Sequence, residues 1–253
     1  MVQAHAVSET GPVRSINEDS ALVDPELRLF AVADGLGGHN AGEVASAMAL
    51  EALAGFIRRS AGETDLSWPY GVEPHLSYDA NRLRTGIHVA NRRVFRAAES
   101  SDDYVGMGTT VAALLITDGQ VICGSVGDSR IYRLSGGALT LLTHDDSWAA
   151  ALLAQGVAQE DIGRHPLRHV LTNVVGARDQ VDVHLHELPA VRGDRYLACS
   201  DGIHEVVPEP DLARLLSDEA EVRVSAERLV RLALDRGSRD NVTAVVVRCG
   251  GRG

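Results

Sequence analysis

Two apolar runs, Thr110 to Thr117 and Gln120 to Val126, are separated by nothing but Asp118-Gly119. An Asp-Gly pair adopts the positive backbone angles of a two-residue hairpin turn at little steric cost, so the two runs read as neighbouring antiparallel strands. A meander continues directly, with Arg130 to Leu134 and Ala138 to Leu142 flanking Ser135-Gly136-Gly137. Strands joined by turns this short argue against repeated βαβ crossovers, which need a dozen or more residues between strands.

The remaining periodicities extend that picture. Leu27 to Ala33, Asp194 to Cys199 and Val242 to Arg248 read as apolar strands, and Val181 to Leu185 alternates apolar and polar residues with period two. Helical spacing of three and four joins Val44, Met48, Ala49, Leu53, Phe56 and Ile57 on one face, and Leu83, Ile87, Ala90, Val94 and Ala97 on another. Near the C-terminal end Ser225 reads as the cap of a helix carrying Leu229, Leu232 and Ala233, with Gly237 as its stop. The expected class is α+β, antiparallel sheet covered by helices, in a single domain spanning residues 1–253. Ser60 to Tyr78 and Ser147 to Gly176 are long connections, the second with a helix-like start, and neither reads as a linker.

Charge narrows the function. The 253 residues carry 35 Asp+Glu against 24 Lys+Arg, a formal net charge of −11 with the arginines scattered. Such a chain repels nucleic acid phosphates and anionic lipids, while excess carboxylate attracts cations. No run is long and apolar enough to span a bilayer and the first residues lack a basic leader, so a cytoplasmic, monomeric protein without membrane insertion is expected. Cys123, Cys199 and Cys249 are odd in number and sit in apolar runs, as buried reduced thiols would.

Aspartates recur where apolar strands end. Phe30-Ala31-Val32-Ala33 runs into Asp34-Gly35, Val126-Gly127 into Asp128, Leu197-Ala198-Cys199-Ser200 into Asp201-Gly202, and Asp240-Asn241 precedes Val242. Each alone is ordinary turn chemistry. Brought to one sheet edge, the four would repel one another unless a cation compensated them. Oxygen donors without a matched His/Cys set select hard ions, Mg²⁺ or Mn²⁺, and a pair of such ions about 4 Å apart can activate water and clamp a phosphoryl group.

Other hydrolytic signatures fail. The stretch from Asp34 to Glu43 has neither the Gly-Lys-Ser/Thr of a phosphate-binding loop nor, with Asn40 in place of the third glycine, a dinucleotide fingerprint. Six residues separate Cys123 from Arg130 where cysteine phosphatases have five, and Cys123-Gly124-Ser125-Val126-Gly127 lacks the first glycine of a nucleophile elbow. His184 and His186 alternate with apolar residues and read as surface positions.

The ordered set of motifs resembles the metal-dependent serine/threonine phosphatases of the protein phosphatase 2C (PPM, PP2C) family, in particular their bacterial branch. The stretches carrying the resemblance run nearly end to end: Arg14 to Ser20, Asp34 to His39 with Gly42-Glu43 and Ala45-Ser46, Gly106 to Thr110, and Gly127 to Tyr132. Leu142 to Ser147, Leu171 to Gly176, Ser200 to Gly202 and Arg239 to Thr243 complete it.

The resemblance implies an α-β-β-α sandwich of two antiparallel sheets flanked by helices. It implies two Mn²⁺ or Mg²⁺ ions in a core site, with Asp34 bridging them, the Gly35 carbonyl on one, and Asp201 and Asp240 on the other. Glu18 and Asp19 would act through metal-bound waters, Asp128 with Asp201 would take a weaker third ion, and Arg14 would bind the substrate phosphate. The implied reaction is in-line attack of a metal-bridging water on a phosphoserine or phosphothreonine of a protein, such as a kinase of the same signalling circuit or its target. Leu36 stands where eukaryotic relatives have a histidine, which leaves His39 or a metal-bound water to protonate the leaving oxygen. Residues 147–176 would form a flap beside the site, where Arg164, His165, Arg168 and His169 face acidic or phosphorylated partners. The alternatives are a pseudophosphatase that binds phosphoproteins without turnover, which would need a missing metal aspartate, and a two-metal nuclease, which would need a basic track.

Overall fold

The computed structural model describes residues 2–37, 41–62, 68–163, 165–217 and 221–250. Strands β1 (Gln3–Glu9), β2 (Asp19–Asp24) and β3 (Leu29–Leu36) lead into helices α1 (Ala41–Arg59) and α2 (Tyr78–Ser100). Strands β4 (Gly108–Thr109), β5 (Val111–Ile116), β6 (Gln120–Val126), β7 (Arg130–Ser135) and β8 (Ala138–Leu141) follow. After α3 (Trp148–Ala154) and α4 (Gln159–Gly163) come β9 (His184–Pro189), β10 (Arg195–Cys199), α5 (Asp201–His204), α6 (Glu209–Ser217), α7 (Val222–Asp235) and β11 (Val242–Arg248).

The strands form two antiparallel sheets, ordered β1-β11-β10-β7-β8 and β2-β3-β5-β6-β9, with β4 paired to β3. The period-two rule then sorts the side chains into layers. Phe30, Val32, Ala112, Leu114, Tyr196, Ala198 and Val245 pack between the sheets. Leu29, Ala31 and Ala33, the alternate residues of β3, face α1 and α2 and meet Leu53, Ile57, Leu83 and Ile87. On the opposite outer face Leu197, Ala244 and Val246 pack against α6 and α7 through Leu212, Leu216, Leu229 and Ala233. The result is the α-β-β-α sandwich, and the two helical stripes read from spacing are its helix-to-sheet contacts.

Several details depart from the sequence reading. The two hairpins of the expected meander lie in different sheets: β5 and β6 in one, β7 and β8 in the other. Gly127, at φ +93°, turns the chain across the gap, so Asp128 sits where the polypeptide crosses from sheet to sheet. Strand β9 begins at His184 rather than Val181, because only residues 184–189 find partners along β6. Ser225 is no cap. Helix α7 starts at Val222, and Ser225 lies buried within it, its hydroxyl accepting from Arg195 at 3.2 Å. Strands β1 and β2 were not expected, since their residues are mostly half-buried and carry no apolar run. All three cysteines are buried and free, as their apolar surroundings imply. Among the described residues no helix is long and apolar enough to cross a membrane.

Candidate active site

Each recurring aspartate lies at the same end of the sandwich. Asp34 ends the pairing of β3 with β2, where it stands opposite Asp19. Asp128 follows the sheet-crossing Gly127, Asp201 opens α5 at the end of β10, and Asp240 sits just before β11. The four line one pocket of about 670 Å³ together with Arg14, Glu18 and Gly35, and Thr110, His169, Val170, Leu171, Val174 and Glu205 complete much of its wall.

The loop between β1 and β2 carries Arg14 and Glu18 to this pocket and is tied down by one side chain. Asn241 donates to the Thr10 and Ile16 carbonyls at 2.8 and 2.9 Å, and its Oδ1 accepts from the Glu18 amide at 2.9 Å. The Glu18 carbonyl accepts from the Gly35 amide at 3.1 Å and from the Ser46 hydroxyl at 2.6 Å. Residue 35 has to be glycine in this cradle, because a methyl group there would run into the carbonyl oxygens of Gly42 and Glu18. Asp34 is held by its backbone: its amide donates to the Thr110 hydroxyl, and its carbonyl accepts from the Thr110 amide and the Thr109 hydroxyl, each at 2.9 Å. The side chain is thereby left free for the pocket. Asp19 is buried behind it, accepting from the Ser200 hydroxyl at 2.7 Å.

The electrostatics are those of carboxylates crowded out of water. Burial, then the neighbouring carboxylates Asp19, Asp201, Asp128 and Asp240, pushes the Asp34 pKa well above the usual range. Burial, then Asp128 and Asp240, raises Asp201 to about 8; burial, then Asp145 and Glu205, raises Asp128 to about 7; and burial raises Asp19 to about 6. Two guanidinium groups stand near this charge: Arg14 donates to Asp240 Oδ2 at 2.6 Å on the exposed rim, and Arg130, paired with Asp145, lies near Asp128. Asp201 Oδ1 and Asp19 Oδ1 are buried with no hydrogen-bond partner. Buried carboxylate oxygens without donors, in a cluster whose carboxylates outnumber the neighbouring guanidinium groups, fit a hard divalent ion. The donor set is all oxygen, which suits Mg²⁺ or Mn²⁺.

The structure thus brings Arg14, Glu18, Asp34, Gly35, Asp128, Asp201 and Asp240 to one pocket and sets Asp19 behind it. His39 and Arg164 lie outside the described residues. Of the flap residues, His169 lines the pocket and pairs through Nδ1 with Glu205 at 2.9 Å, whereas the His165 ring accepts from the Leu167 amide and Arg168 is exposed. Glu205 and His204 escaped the sequence reading. Neither carries a motif signal; α5 simply places Glu205 beside the flap and turns the His204 ring toward the Asp128 carbonyl, at 3.1 Å. Burial lowers the His204 pKa to about 4 and leaves the ring neutral.

The family model described as protein phosphatase 2C matches residues 13–240. The serine/threonine phosphatase Stp of Listeria monocytogenes is 33% identical over 244 residues, which are 95% of this chain and 93% of that protein. The serine/threonine protein phosphatase PstP of Mycobacterium tuberculosis is 36% identical over 242 residues, 95% of this chain but 44% of the relative. A crystal structure of the PstP catalytic domain in complex with two manganese ions superposes with a TM-score of 0.82 at 34% identity, covering 99% of both chains.

Proposed function

Since the chain belongs to the protein phosphatase 2C family, we propose that it hydrolyses phosphoserine and phosphothreonine in proteins with two Mn²⁺ or Mg²⁺ ions as cofactor. The observation that carries this reading is the convergence of Asp34, Asp128, Asp201 and Asp240 from both sheets on one pocket, with Arg14 at its rim. None of the aspartates whose loss would make a binding-only relative is missing. The whole chain acts as one catalytic unit, because the aspartates come from β3, from the β6–β7 link and from the segments that follow β10 and precede β11.

Asp34, the Gly35 carbonyl, Asp201 and Asp240 would hold the two ions, and Asp128 with Asp201 would hold a weaker third. Such ions would supply an activated water for attack on phosphorus and charge to neutralise the phosphoryl oxygens. The protein supplies the rest. Glu18 and Asp19 orient waters around the site, Glu18 from a backbone held by Gly35 and Ser46 and Asp19 from beneath. Arg14 turns from Asp240 to two phosphate oxygens, which its planar fork of donors matches better than a lysine would. His39 or a bound water protonates the leaving serine or threonine oxygen. The flap residues Val170, Leu171 and Val174 form an apolar wall against the peptide, so they set which phosphoprotein fits. A kinase of the same circuit or its targets in the cytoplasm are the natural substrates for a monomeric enzyme of this kind.

Hydrolysis of para-nitrophenyl phosphate and of a phosphothreonine peptide, each with Mn²⁺, with Mg²⁺ and with excess chelator, tests the reading. Phosphate release from both that stops with chelator is the expected result. No turnover under any metal by the folded chain would overturn it.

A further inference from the structure

The open edge of the sandwich carries a second set of ligating side chains, none of which lines the carboxylate pocket. Strand β9 is the edge strand of one sheet and β8 that of the other, and the segment following β8 brings His144 and Asp146 against His184. One ligand atom from each of the three lies within 4.8 Å of the other two. His184 Nε2 and Asp146 Oδ1 are 2.8 Å apart, and the two imidazole rings are 5.6 Å apart between centres, tilted by 42°. The sequence alternation marks His184 as a surface residue. Its pairing opposite Ser125 instead turns it toward the gap between the sheets, where a cleft of about 210 Å³ gives solvent access to both histidines.

Asp146 is built for one direction. Its side chain is one-tenth exposed, and its Oδ2 accepts from the Gly127 amide at 3.0 Å and from Asn173 Nδ2 at 2.7 Å. Asn173 is itself fixed, donating to the Asp182 carbonyl at 2.7 Å and accepting from the Asp182 amide at 3.2 Å. With Oδ2 occupied, Oδ1 is left facing the imidazoles. Two imidazoles and a carboxylate on one side, open to water on the other, form the three-ligand set of an open zinc centre. Carboxylates held by further hydrogen bonds are the usual support of such ligands.

We propose that His144, Asp146 and His184 bind one zinc-class ion (Zn²⁺, or Co²⁺ as its probe), separate in place and in ligand chemistry from the carboxylate pocket. Imidazole nitrogen selects Zn²⁺ or Co²⁺ over the Mg²⁺ that the oxygen-only pocket takes. Ligand atoms around zinc sit about 2.0–2.2 Å from the metal, so closure needs only a small rotation of the exposed His144 ring onto the pair already formed. The ion joins the two sheets at their open edge. It also bears on catalysis at a distance, since Asp146 grips Gly127, the neighbour of Asp128, and its carbonyl accepts from Thr172 at the foot of the flap.

The test uses the full chain with its carboxylate pocket saturated by Mn²⁺, titrated with Co²⁺ and followed by visible absorption, then with Zn²⁺ followed by metal analysis after desalting. The expected result is one equivalent of Co²⁺ with the intense bands of a low-coordinate nitrogen site, displaced by Zn²⁺. His144→Ala, an exposed position that cannot disturb folding, should lose that equivalent and its spectrum. Asn173→Ala should weaken it about 10–100-fold, as loss of a supporting partner does. Asp34→Asn should keep it. Absence of the intense bands in the parent chain, or a spectrum that survives His144→Ala or disappears in Asp34→Asn, would overturn the proposal.

Discussion

At the scale of single residues the pocket is a problem in charge. Asp34 lies half-buried among like charges, so replacing its carboxylate with an amide removes an ion ligand without removing volume. We expect Asp34→Asn to lower kcat by at least about a thousandfold, near 4 kcal/mol of barrier, with an unchanged circular dichroism spectrum. Residual turnover near the parent value would sink the ligand assignment. The proposed role of Arg14 is different, because it lies on the rim of the pocket, where binding the phosphate is assigned to it rather than activating water. Loss of charge-assisted hydrogen bonds worth about 1.5–3 kcal/mol should raise KM of Arg14→Ala about tenfold to a hundredfold. A collapsed kcat at normal KM would place Arg14 in the transition state instead. The four aspartates were legible because each stands where an apolar run meets a turn, a pattern with a physical cause, whereas Arg14 came only with the family resemblance. Glu205 was not, since one acid on a short helix acquires meaning only when the flap folds beside it.

Among the elements, the long loop 10–18 has the most to lose, since it has no regular structure and yet carries Arg14 and Glu18. Asn241 is its anchor, with three hydrogen bonds into the loop at 2.8 to 2.9 Å. Net contributions near 0.5–1.5 kcal/mol each lead us to expect Asn241→Ala to cost about 2–4 kcal/mol in urea denaturation. It should also raise KM, because Arg14 loses its placement; a stability loss with unaltered KM would show that the loop holds its shape unaided. The hairpins, the two long helices and the buried central strands were readable from turn chemistry and apolar spacing. Strands β1 and β2 were not: their half-buried residues obey no strong alternation, and pairing with β11 and β3 alone makes them strands. The division of the hairpins between two sheets was equally hidden, because a three-residue link looks the same whether it turns within a sheet or across to another.

For the molecule as a whole, the pocket lies where the two sheets meet. Asp34 belongs to the sheet of β3, while Asp201 and Asp240 flank β10 and β11 of the other. Ions held between them therefore cross-link the sandwich, and their removal leaves mutually repelling carboxylates across the same gap. The sign of the pH effect follows from the raised pKa values. With the ions removed, Asp201 at about 8, Asp128 at about 7 and Asp19 at about 6 hold protons in the fold that the unfolded chain releases near pH 4. Folding then takes up protons, so the metal-free protein loses stability as pH rises from about 4 through about 8. Bound ions favour the ionised carboxylates and cancel that slope, since metal and proton compete for the same oxygens. Chelation should consequently lower Tm more at pH 8 than at pH 6. Melting curves with saturating Mn²⁺ and with excess chelator at the two pH values check this, and a gap that stays constant or narrows toward pH 8 would mean that the crowded carboxylates are not what the ions compensate.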